Sequence, residues 1–137
     1  DPTPAEEKFI CEYSAQHWKS EAVYVSEFPA SHMKFYHYRS EKNPEVAERA
    51  DLLFRGVEIV TLSRREHRYD KIVEQLRAMG GDPDHPGFKY FLQAFQYGMP
   101  SEGGFGLGLE RLTALTIGFK NAKEATLFPR DTKRLAP

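Results

Sequence analysis

The chain has 137 residues, 40% hydrophobic and 13% aromatic, enough apolar material for one globular domain with a real core. With 19 basic and 20 acidic residues the net charge is −1, which excludes a strong field for non-specific attraction of nucleic acid and leaves only local contacts. The single cysteine, Cys11, excludes an intrachain disulfide and a cysteine metal cluster; with no signal-peptide pattern and no apolar run long enough to span a membrane, cytoplasmic placement is expected.

Thr3-Pro4-Ala5-Glu6 reads as an N-cap, a proline at the first helical position and a carboxylate three residues on, so a helix starts there. Its apolar positions are Phe9, Ile10, Tyr13 and Trp18, with Cys11 expected as a small core residue. The alternation in Ala22 to Phe28 and the aromatic run Met33 to Tyr38 predict two strands, paired as a hairpin. Asn43-Pro44-Glu45 interrupts the pattern, after which Ala50 to Phe54 and Val57 to Leu62 predict two further strands around an Arg55-Gly56 turn. The sheet is therefore expected to be largely antiparallel. Helical spacing of Ile72, Val73, Leu76 and Met79 predicts a helix from Tyr69 to Met79, stopped by Gly80-Gly81-Asp82-Pro83. Phe88, Phe91, Leu92 and Phe95 repeat the period in another helix ending at Gly98-Met99-Pro100. No repeat, low-complexity segment or internal domain boundary is visible. The fold class is α+β, a largely antiparallel sheet with flanking helices on one face.

Near the C-terminus, Gly103-Gly104-Phe105-Gly106-Leu107-Gly108 leads into a helix that opens on Glu110-Arg111 and continues as the apolar run Leu112 to Phe119. Glycines at 104, 106 and 108 let a strand lie flat against a planar ring, a combination that suits a nucleotide. A tight strand-to-helix turn with no ligand is the alternative. The helix dipole favours acids in a first turn, so Arg111 has to find its anion elsewhere, and a phosphate is a natural one. Glu110 is read as a local cap or ion-pair partner. Period-2 alternation puts Glu58 on the face opposite Val57 and Ile59, where it either serves a magnesium ion bridging phosphates or stands as a solvated strand carboxylate. Asp51 is read as structural, pairing with Arg49 or Arg55. His17, His32, His37, His67 and His85 lack metal-ligand spacing, so zinc is not expected.

Taken together, Gly104 to Arg130 resembles the third signature motif of class II aminoacyl-tRNA synthetases. The match extends through Phe54-Arg55-Gly56-Val57-Glu58-Ile59, Arg65-Glu66-His67-Arg68-Tyr69-Asp70 and Phe95-Gln96-Tyr97-Gly98-Met99-Pro100. It looks most like the aspartyl/asparaginyl branch in its archaeal-type aspartyl form, and it covers nearly the whole chain. The resemblance implies that residues 1–137 are the C-terminal portion of a catalytic domain, with the third motif at about 103–130. The first motif, which makes the family's dimer interface, is not recognisable. Neither is the second, which carries the arginine on the ATP α-phosphate, nor the anticodon-binding barrel. With Asp1 in place of a starting methionine, a fragment or truncated paralogue is expected.

The roles implied by resemblance are specific. Glu58 binds the metal–ATP complex, and Thr61 stands where relatives carry a serine that assists the same Mg²⁺. Arg111 clamps the ATP γ-phosphate, so Arg111 and Glu58 are the candidate catalytic residues, while Gly104, Gly106 and Gly108 lie beside adenine. Arg65, seven residues after Glu58, falls where the family reads the substrate's side chain. A guanidinium fork suits a second carboxylate, and the alternative for Arg65 is an exposed member of the basic run Arg64 to Arg68. The implied ligands are ATP, Mg²⁺ and aspartate or asparagine, with tRNA for the parent chain. A homodimer is a further expectation, although the truncated chain lacks the first motif that mainly makes it.

Three positions depart from the family pattern. Ser101-Glu102 replaces a Pro-His pair, and Glu102 would repel an aspartate side chain near the amino-acid site unless it is protonated or turned away. Leu62-Ser63 replaces two glycines, and Met33-Lys34-Phe35-Tyr36 replaces a basic-Pro-Phe-Tyr sequence. Two functions follow: an aspartyl- or asparaginyl-type tRNA ligase, or a paralogue that charges no tRNA and acts as a nucleotide-binding, amide-forming or regulatory module. In either case the 137 residues alone are expected to be inactive in amino-acid activation.

Overall fold

The computed structural model describes residues 1–133; the last four residues of the 1–137 span fall outside the described residues. In chain order the elements are α1 (Pro4–Trp18), β1 (Ala22–Ser26), β2 (Arg49–Phe54), β3 (Val57–Arg64), α2 (Tyr69–Ala78), α3 (Lys89–Gln96), β4 (Gly103–Leu107) and α4 (Leu109–Ile117). Short 3₁₀ turns lie at Ala30–His32, Pro86–Phe88 and Ala122–Ala125. The strands form one sheet in the order β1-β2-β3-β4, antiparallel as the sequence predicts, so every sheet neighbour is also a chain neighbour. No helix among the described residues is long and apolar enough to cross a membrane.

The residues group into two compact units. One comprises Asp1, Ser26–Ala50 and Leu62–Phe105; the other comprises Pro2–Val25, Asp51–Thr61 and Gly106 onward. The chain passes from one to the other within its strands, so no linker composition marks a boundary in the sequence.

In the second unit α1 starts with a complete capping box. The Thr3 hydroxyl oxygen accepts from the Glu6 N–H at 3.4 Å, and Glu6 Oε2 accepts from the Thr3 N–H at 2.7 Å. The face α1 buries is made of small residues, Cys11 and Ser14, whereas Phe9 and Trp18 remain 67% and 65% exposed. Close approach explains this: a Cβ added at Gly56 would sit 3.3 Å from Lys8 Cα. Burial pushes the Cys11 thiol pKa up, as expected for a core cysteine. Arg55 and Gly56 both have positive φ, 49° and 84°, which makes the β2–β3 connection a two-residue hairpin turn of the I′ kind. For arginine that backbone costs roughly 1 kcal/mol. Gly118, with φ 89°, ends α4 by donating its N–H to Ala114.

In the first unit the predicted strand over Met33 to Tyr38 is absent. Met33 and Tyr38 are core residues, but the backbone between them turns, the His37 N–H donating to Lys34 O at 3.0 Å. His37 and Arg39 form isolated antiparallel bridges to Arg65 and Ala47, and Tyr38 between them donates its N–H to Arg64 O and accepts from the Glu48 N–H. The predicted hairpin partner stops at Ser26 because Glu27 leaves the β region at φ 61°. Helix α2 matches its prediction to within one residue and buries Ile72 and Leu76, each worth roughly 2 kcal/mol of apolar transfer.

Candidate functional site

The second unit brings Glu58, Thr61, Gly108 and Arg111 together. Glu58 is the second residue of β3, and its carboxylate Oε1 accepts the Thr61 hydroxyl hydrogen at 2.6 Å. Its backbone N–H donates to Glu7 Oε2 of α1 at 3.2 Å, and its carbonyl accepts from Arg111 Nη1 at 2.8 Å. Gly108 N–H donates to the neighbouring Ile59 carbonyl at 2.8 Å, which fixes the start of α4 against β3. The Arg111 side chain folds back over this junction, its Cδ 3.4 Å from where a Cβ at Gly108 would stand. A Cβ at Gly106 would meet nothing within 4 Å, so the strand there presents bare backbone to open space.

The site pairs a carboxylate and a hydroxyl, both hard oxygen donors, with a guanidinium. Among the described residues no group of three or more His, Cys, Asp or Glu is placed to hold a metal. Glu58 and Thr61 therefore fit a magnesium ion only as partial ligands, the rest of its shell coming from water and phosphate oxygens, which is the usual arrangement for that ion.

In the first unit Arg65 and Glu102 lie opposite each other, the Arg65 N–H donating to Glu102 O at 2.9 Å. Directly opposed residues of an antiparallel pair share a face. The Arg65 guanidinium lies over the Tyr36 ring, 4.7 Å from its centroid. Gly104 adjoins open space as Gly106 does. Next to Arg65, the Glu66 side chain is 2% exposed and fully engaged. Burial raises its pKa, but the Arg68 fork at 2.9 and 2.8 Å and the His67 and Arg68 N–H groups outweigh that and hold it below the usual carboxylate range. His37 bridges to Arg65; burial first, then the positive charges of Arg65, Arg49 and Lys34, bring its pKa down to about 4. Leu62 lines a separate groove with Ser26, Val46 and Ala50, a groove to which neither Arg65 nor Glu102 contributes. Asp51 is buried, and the Arg55 fork engages Glu21.

A profile of the tRNA synthetases class II (D, K and N) matches residues 1–132. The chain belongs to that family. This class II synthetase chain is 43% identical over 131 residues to an aspartate–tRNA(Asp) ligase of Pyrococcus abyssi, a match covering 96% of the chain and 30% of that relative. It superposes on the aspartyl-tRNA synthetase of Entamoeba histolytica with a TM-score of 0.91 at 31% identity, covering all of the chain and 28% of that protein. The asparaginyl-tRNA synthetase of Pyrococcus horikoshii, solved with asparaginyl-adenylate, gives 0.87 at 31% identity over all of the chain and 30% of that protein. The chain thus spans about 30% of the length of the curated relatives it matches.

The sequence points to Glu58, Thr61 and Arg111 in one unit and to Arg65 and Glu102 in the other, but not to the residues that hold them. Tyr36 under Arg65 was visible only as part of a variant motif. The Glu66–Arg68 fork was signalled by one carboxylate inside a basic run, and Arg55 by an arginine where a tight hairpin turn favours asparagine or glycine.

Proposed function

We propose that this synthetase chain supplies the magnesium-, γ-phosphate- and side-chain-reading part of an aspartyl- or asparaginyl-type tRNA ligase. In the parent protein, an oxygen of the amino acid's α-carboxylate attacks the α-phosphorus of ATP. The new C–O–P bond forms as the Pα–O bond to pyrophosphate breaks. A terminal tRNA hydroxyl then takes the acyl group and AMP leaves. No protein nucleophile is needed, so positioning and charge neutralisation carry the rate. The observation that carries the reading is the Glu58–Thr61–Arg111 arrangement on β3 and α4 beside bare glycine backbone.

Glu58 and Thr61 would hold the magnesium ion, which when bound neutralises phosphate charge. Arg111 has five N–H donors, and its contact with Glu58 O uses one nitrogen, leaving others for a γ-phosphate oxygen. Gly104, Gly106 and Gly108 give the adenine a flat surface. Arg65, stacked on Tyr36, reads the far end of the amino acid. Aspartate, asparagine and tRNA are thus the substrates proposed for the parent, in the cytoplasm, with a homodimer as its assembly.

Amino-acid-dependent ATP–pyrophosphate exchange by the longest natural form of the chain tests this. Exchange with aspartate or asparagine but with no other amino acid is expected; exchange with neither would overturn the assignment.

A second reading, a paralogue that charges no tRNA, is favoured by Glu102. Its backbone lies opposite that of Arg65, so its carboxylate is on the same face and would compete with a substrate carboxylate if it reached the guanidinium. Under the ligase reading, Glu102→Gln lowers the KM for aspartate by about five- to tenfold. Unchanged aspartate kinetics would remove Glu102 from the site.

A further inference from the structure

Arg55 is placed at the first central position of a hairpin turn whose backbone suits asparagine or glycine. What its side chain does there accounts for the choice. Nε and Nη2 donate to the two carboxylate oxygens of Glu21, both at 2.8 Å, and Nη1 donates to the carbonyl of Leu115 at 2.7 Å. The guanidinium also lies 5.0 Å from the centroid of Phe54. Leu115 is in the last turn of α4, where carbonyls lack intrahelical donors; the nearby Gly118 and Phe119 N–H groups both go to Ala114. A cation there also complements the helix dipole.

At the other end of the same helix, Arg111 donates to Glu58 O, and Gly108 donates to Ile59 O. Helix α4 is therefore tied at both ends to one hairpin, by Arg55 of the turn at its C-terminal end and by the first residues of β3 at its N-terminal end. A helix held at one end only is free to slide or pivot about that end. Held at both, it keeps the Arg111 guanidinium at Glu58.

We infer that Arg55 is a positioning residue for ATP binding, setting the axial register of α4 so that the Arg111 guanidinium stays on the Glu58 carbonyl near the start of β3. It acts through Arg111 and does not itself touch the nucleotide. This rests on the role given above to Arg111.

The test uses Arg55→Asn, which suits the turn backbone and so preserves the hairpin while removing the three-way fork, together with Arg55→Lys, which keeps the charge alone. In pyrophosphate exchange by the longest natural form, both variants raise the KM for ATP at least fivefold and leave the KM for the amino acid unchanged. A purely stabilising role would lower the active fraction and leave both KM values alone; that result overturns the inference. In the Arg111→Gln background, Arg55→Asn adds no further loss if Arg55 works through Arg111, and an additive loss overturns it.

If the wild-type protein shows no exchange, the ligase reading fails, and Arg55 is judged separately by NMR of the arginine-labelled 137-residue chain. There, faster rotation of the Arg111 guanidinium in Arg55→Asn supports the positioning role, and equal rotation in the two proteins overturns it.

Discussion

Because its Oε1 already accepts the Thr61 hydroxyl hydrogen, the Glu58 carboxylate is oriented before any ligand arrives. Groups that orient a metal ligand change affinity by about 10- to 100-fold when removed. Thr61→Ala should therefore raise the magnesium concentration needed for half-maximal exchange by about tenfold, whereas Thr61→Ser, which keeps the hydroxyl, should stay within about twofold of wild type. A magnesium titration of exchange in both variants checks this. His37 gives a prediction of a different kind. Its pKa is lowered from 6.5 to about 4 by burial and by three nearby cations, so the unfolded chain binds the proton more readily than the folded one. Stability is then full above pH 6.5 and is lost as pH falls towards 4, by roughly 3 kcal/mol at most. The lowered carboxyls of Glu41 and Glu66 contribute only further down, as pH falls through their folded values. His37 Nδ1 accepts from the Lys34 N–H, an acceptor that asparagine can supply. His37→Asn should therefore flatten denaturant-derived stability between pH 6.5 and 4.5 while leaving the steeper loss below it.

Element by element, the best-formed signals in the chain are those in which local chemistry and final contacts agree. The capping box of α1 is one. Thr3→Ala removes one half of a reciprocal pair and should cost about 1 kcal/mol, seen as a melting temperature lower by about 2–5 °C. Glu6→Ala should cost a similar amount, and the double variant less than the sum, because each side chain caps the other's N–H. Helices α2 and α4 and the β2–β3 hairpin were legible for the same reason: periodicity, glycine placement and burial coincide. The run Met33 to Tyr38 was not, because Met33, His37 and Tyr38 are buried from a turning backbone in which the Met33, Lys34 and His37 N–H groups are satisfied locally, and composition cannot distinguish that from a strand. Of the candidate site, Glu58 stood out by strand alternation and Arg111 by its place in the first turn of a helix, whereas Thr61 entered only through the family resemblance; the structure brings the three together. Tyr36 and Arg55 touch residues distant in sequence, Tyr36 under Arg65 and Arg55 against Glu21 and Leu115, so those contacts became visible only in three dimensions, whereas the Glu66–Arg68 fork is local.

For the whole molecule, the governing fact is coverage: the chain aligns along almost its full length with proteins of which it matches about 30%. Adenylate formation needs charge neutralised at the α-phosphate as well as at the γ-phosphate, since the bond that breaks joins the α-phosphorus to the departing pyrophosphate. In the function proposed above, the residues gathered around Glu58 and Arg111 would answer for the magnesium and γ-phosphate end. By the family resemblance, the arginine on the α-phosphate belongs to a motif that these 137 residues do not display. Loss of one such donor costs on the order of 10²- to 10³-fold in rate. The 137-residue chain by itself is therefore expected to show no amino-acid-dependent pyrophosphate exchange above the level of its Arg111→Gln variant. It should still bind ATP weakly in a magnesium-dependent way, and Arg111→Gln should abolish that binding. Equilibrium titration with and without magnesium, run beside the exchange assay, separates the two statements. Exchange by the isolated chain would mean that the α-phosphate is neutralised by a group within these 137 residues. Magnesium-independent ATP binding would detach Glu58 and Thr61 from the nucleotide altogether.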